Sequence, residues 1–91
     1  MKLYVYVYDW NTWRGGAEMG PRHHRVTTLV YTVDAYARDP ERIAAERARD
    51  WLLANGFKDK DVLNFEYHVH EQGYSGCSVV RLDGRPVLIP A

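Results

Sequence analysis

Glu66, His68 and His70 stand at alternate positions of a run that reads Leu63-Asn64-Phe65-Glu66-Tyr67-His68-Val69-His70. Residues two apart on an extended strand share a face. A carboxylate and two imidazoles would therefore project together, and both groups are zinc ligands. His23 and His24 would complete such a site if their loop folded over it. The spacing is common, however, and a solvent-facing alternation explains it equally well. The expectation is accordingly no metal and no cofactor. A metal-binding protein or an enzyme centred on these three residues is the alternative.

A second set of residues could do recognition rather than catalysis. In Leu3 to Trp10, Leu3, Val5 and Val7 alternate with Tyr4, Tyr6, Tyr8 and Trp10. If the aliphatic side meets a core, the rings form a ladder on the opposite side. Tyrosine and tryptophan are enriched at the energetic centres of interfaces. The following stretch carries Trp13, Arg14, Arg22, His23, His24 and Arg25 against a single Glu18, so it is locally basic. Arginines beside an aromatic residue suit carboxylate or phosphate recognition.

Other chemistry is poorly represented. Cys77 is the only cysteine, which excludes an internal disulfide and fits a reducing, cytoplasmic setting. With no Cys–His motif beside it, Cys77 is expected to be a buried structural thiol. No nucleophile elbow, P-loop or dinucleotide fingerprint is present. Twelve Lys and Arg balance twelve Asp and Glu, giving zero formal charge. A general nucleic-acid binder is normally basic, so that class loses weight. Single-stranded nucleic acid stacked on the tyrosines remains an alternative. No apolar run approaches the length of a membrane span, and the opening residues read as a strand rather than a signal peptide.

The elements that must position these residues follow from periodicity. The chain of 91 residues, 46% hydrophobic and 26% charged, is expected to be one domain over residues 1–91. The first strand covers Leu3 to Trp10. Residues 11 to 24, with Gly15, Gly16, Gly20 and Pro21, form a long loop. A second strand spans roughly Arg25 to Tyr36, with Leu29, Tyr31 and Val33 turned inward. Asp39 caps a helix that Pro40 opens. Ala44, Ala45, Ala48, Trp51 and Leu52 form its buried stripe. Gly56 takes the left-handed position at its end, with Phe57 packing back on Leu52. A third strand runs from about Val62 to Glu71 and a fourth from Cys77 to Leu82. Asp83-Gly84 turns the chain into a short edge strand at Val87, Leu88 and Ile89. The order β-β-α-β-β-β implies an α+β fold: an antiparallel sheet of four to five strands with one helix across one face. One helix is about 10 Å wide, against roughly 20 Å for such a sheet, and leaves the far face uncovered.

Two family resemblances bear on function. Tyr4-Val5-Tyr6-Val7-Tyr8-Asp9 looks like the start of Cas2-type nucleases, but that fold requires a helix where Gly15, Gly16, Gly20 and Pro21 stand. The layout over residues 30 to 91 is similar to small phage-encoded anti-CRISPR inhibitors, one type I-F member in particular. The features in common are strands before an Asp-Pro-started helix rich in alanine (Asp39-Pro40, then Ala44, Ala45 and Ala48) and a closing strand ending in Ile89-Pro90. This resemblance implies a non-enzymatic protein that docks on a CRISPR-Cas effector in the host cytoplasm and blocks it. It transfers no particular residue. The expected binding surface is the tyrosine face with the basic loop, namely Tyr4, Tyr6, Tyr8, Trp10, Trp13, Arg14, Arg22, His23, His24 and Arg25. Its partner is a protein or a second copy of the chain.

Overall fold

The computed structural model describes residues 1–9, 24–73 and 76–82. Four strands and two helices follow in the order β1 (Lys2–Asp9), β2 (His24–Thr32), α1 (Pro40–Ala54), α2 (Asp59–Asn64), β3 (Glu66–Glu71) and β4 (Ser78–Arg81). The expected hairpin turn at Asp83-Gly84 and the strand at Val87 to Ile89 lie outside the described residues, as do Trp10, Trp13, Arg14, Arg22 and His23.

The fold is α+β, with a four-stranded sheet in the order β2-β1-β3-β4 and antiparallel pairing throughout. β1 sits between β2 and β3, which therefore run parallel to each other on its two sides. The connection between them passes through both helices. Leu3, Val5 and Val7 are fully buried, and so are Tyr67 and Val69 of β3. With Ala44, Ala45, Ala48, Leu52, Val62, Phe65 and Leu82 they form one core between sheet and helices. Val33 is buried, and Leu29 and Tyr31 pack against the core, as their alternation predicts. The Tyr67 hydroxyl, enclosed in this core, donates to the Val62 carbonyl at 2.8 Å. A buried hydroxyl without such an acceptor would be costly.

α1 begins and ends on local signals. The Asp39 carboxylate accepts from the Arg42 N–H at 3.4 Å, and Pro40 opens the helix. Asp39 itself is left-handed, at φ 55 and ψ 63. At the other end Gly56 N donates to Leu53 O and Phe57 N to Leu52 O, the paired bonds of a Schellman ending. Gly56 has φ +92, which a side chain would strain. The Phe57 ring meets Phe65 edge-on, with centroids 6.2 Å apart.

Three expectations are corrected. Val62 to Asn64 belong to a second helix, not to a strand, so the order among the described residues is β-β-α-α-β-β. Two apolar neighbours, Val62 and Leu63, do not distinguish the two periods. The helical turn is favoured by Asp59 and Asp61 in its first turn, and Asn64 Nδ2 donates to Lys60 O at 2.9 Å. Trp51 is 41% exposed rather than buried. At about 100° per residue it falls just outside the arc of Ala44, Ala48, Leu52 and Ala45. Its indole therefore lies at the margin of the buried stripe, partly in solvent. β2 stops at Thr32, because Val33 and Asp34 lead into a turn in which Asp34 accepts from the Tyr36 N–H at 2.9 Å. No helix among the described residues is long and apolar enough to cross a membrane.

Candidate functional site

The helices occupy the face that carries Leu3, Val5 and Val7. Tyr4, Tyr6 and Tyr8 therefore project from the other face. Sheet register determines what stands beside them. Tyr4 is aligned with Val30 of β2 and His70 of β3, Tyr6 with Thr28 and His68, and Tyr8 with Arg25 and Glu66. β4 extends two of these rows, setting Val79 beside His68 and Arg81 beside Glu66. The tyrosine ladder and the Glu66-His68-His70 set are thus one surface on the two central strands.

Contacts within it are specific. The Tyr8 and His68 rings meet at 4.6 Å and 64°, and Tyr6 and His70 at 5.0 Å and 81°. Both are edge-to-face arrangements, which the ring quadrupoles favour. Lys2 Nζ lies 5.9 Å from the Tyr4 ring centroid, within cation–π range. Glu66 is only 8% exposed. Its Oε1 lies 3.0 Å from His68 Nε2 and its Oε2 lies 3.7 Å from Arg81 Nη1. A carboxylate this buried needs such partners. The three tyrosines, His68 and His70 are half-buried. Val30 at 46% and Val79 at 53% exposure mark the two margins.

This geometry bears on the chemistry expected from sequence. Glu66 and His68 are bonded to each other, and among the described residues no three His, Cys, Asp or Glu side chains are grouped closely enough to hold a metal ion. Arg25 is exposed beside Tyr8, and His24 opens β2 opposite Asp9. Cys77 is exposed, contrary to the expectation of a buried thiol. It precedes β4, in a shallow cleft of about 300 Å³ also lined by Glu41, Val69, Glu71 and Ser78. Burial raises the pKa of Tyr67 and, to a lesser degree, that of Tyr31.

Sequence reasoning missed Val30, Val79 and Arg81 as members of the surface. The opposite charges of Glu66 and Arg81, on consecutive strands of a hairpin, were the available signal. Comparison with known proteins adds no relative: no family model, curated protein or solved structure matches this chain.

Proposed function

We propose that this chain is a non-enzymatic binding protein that docks a protein partner on the open face of its sheet. The observation carrying this reading is that Tyr4, Tyr6 and Tyr8 lie in register with His70, His68 and Glu66 on the face away from both helices. Amphipathic rings held by their neighbours lose little freedom when covered, which is why such residues dominate interface energetics. Zero net formal charge favours a protein over a polyanion as the partner. In its narrower form, supported only by the resemblance in layout to anti-CRISPR inhibitors, the partner is a subunit of a CRISPR-Cas effector.

Photo-crosslinking in living cells tests the reading. A benzophenone amino acid at position 6 probes the open face, and one at position 46 probes the helix side. Protein adducts specific to position 6, lost on adding Tyr8→Ala, are expected. Adducts equally abundant from both positions, or absent from position 6, would reject the surface. Adducts removed by nuclease would move the assignment to single-stranded nucleic acid.

A further inference from the structure

The outer edge of β2 is distinguished from the open face by its backbone groups, although the two adjoin at Val30. Met1 N donates to Val33 O at 2.7 Å, and Val33 N to Met1 O at 2.9 Å, so these residues form a hydrogen-bonded pair. Such pairs alternate along an antiparallel ladder. Leu3–Tyr31, Val5–Leu29 and Val7–Thr27 therefore also exchange bonds, in the register observed. Thr28, Val30 and Thr32 must turn their N–H and C=O groups away from β1. Arg47 confirms the direction, since its guanidinium reaches round the edge to donate to Thr32 O at 3.1 Å. Among the described residues no strand pairs with this edge.

Exposed edges normally carry charge, proline or a bulge that discourages pairing. β2 is nine residues long, and Val26 to Thr32 contain neither charge nor proline. Its one irregularity, the extra residue Val26, lies at the end near Tyr8 and leaves Thr27 to Thr32 regular. Arg47 covers a single carbonyl and is itself exposed, so displacing it costs little.

We propose that two copies of this chain join through their β2 edges, antiparallel about a two-fold axis at Val30, into one continuous sheet. The strand is its own complement in that register. Thr28 pairs with the partner's Thr32, Val30 pairs with the partner's Val30, and all three side chains are exposed and β-branched. The exposed Arg25 at one end comes alongside the partner's Asp34 at the other, so opposite charges meet at both ends. A domain of this size has a thin stability margin, which association through the edge would raise.

Light scattering over a dilution series of the full chain should report twice the chain mass of 10.6 kDa. Val30→Pro removes an N–H that β1 does not use, so it should give a folded monomer. Val30→Lys sets two like charges against each other and should do the same without a backbone constraint. In a Cys77→Ser background, Val30→Cys should form an intermolecular disulfide on oxidation and Thr28→Cys should not. A wild-type mass of one chain at every concentration would overturn the proposal. So would a dimer that survives both Val30 substitutions while folded, or cross-linking through Thr28→Cys in place of Val30→Cys.

Discussion

Tyr8 is aligned across the sheet with Glu66, yet its ring meets that of His68, two residues further on, at 4.6 Å. Tyr6 repeats the displacement: it is aligned with His68 and touches His70 at 5.0 Å. Both tyrosines lean the same way along the strand, making diagonal contacts of the kind long side chains reach.

The lean predicts an asymmetry in coupling. A double-mutant cycle between Tyr8→Leu and His68→Ala should give about 0.5–1.5 kcal/mol of interaction free energy. The cycle for Tyr6 with His68, the aligned pair, should give clearly less. Urea denaturation of the single and double variants measures both. A larger value for the aligned pair would contradict the observed ring geometry.

Tyr67 buries a hydroxyl that donates to Val62 O. Tyr67→Phe should lower stability by about 1–2 kcal/mol, since a hydrogen bond is lost in the core. The same group predicts alkaline behaviour. Burial raises its pKa above the ordinary tyrosine value of about 10, so above about pH 10 the unfolded chain loses this proton more readily than the folded one. Its contribution is complete below pH 10 and falls as pH rises towards the folded-state pKa. The wild type should destabilise steeply in that range, and Tyr67→Phe should flatten the slope of stability against pH.

Glu66 holds His68 and Arg81 together, and the three differ in exposure. Glu66→Ala should cost about 1–3 kcal/mol, because His68 is the less hydrated of the two groups left behind. Glu66→Gln retains hydrogen bonding and should lose less. Thermal unfolding of the pair discriminates these. Wild-type stability in both variants would mean that the cluster contributes nothing to the fold.

Two left-handed residues bracket α1 and predict opposite outcomes for glycine and alanine. Around Gly56 there is open space, so Gly56→Ala meets no neighbour and should cost about 1–2 kcal/mol from backbone strain alone. Asp39 has φ 55. Asp39→Gly relieves that strain while losing a long capping bond, and should stay within about 0.5 kcal/mol of wild type. Asp39→Ala loses the cap and keeps the strain, so it should be the worse of the two by about 1 kcal/mol. Denaturant titration compares all three variants.

Period-two alternation in β1 was enough to divide Leu3, Val5 and Val7 from the tyrosines, because burial on one side leaves a strand no other facing. The helix cap and its Gly56 ending were equally legible, since both are local chemistry. Sequence alone did not reveal that Tyr6 and His68 are neighbours, because strand order is a long-range property that neither segment encodes by itself. Val62 and Leu63 were misplaced because two consecutive apolar residues fit a helical turn and a strand alike. Trp51 was misplaced because a residue at the edge of a helical stripe can be covered or exposed, and hydrophobicity alone does not say which.

The insertion of β1 between β2 and β3 also bears on the order of synthesis. β1 leaves the ribosome before either neighbour, and its second edge is met by β3, residues 66 to 71. Until those residues emerge, a nascent chain carries an apolar strand with one side unsatisfied, a state open to capture by chaperones or to aggregation. Closing the sheet must wait for contacts 58 to 68 positions apart, which favours slow, late and concerted folding over stepwise growth from the first hairpin.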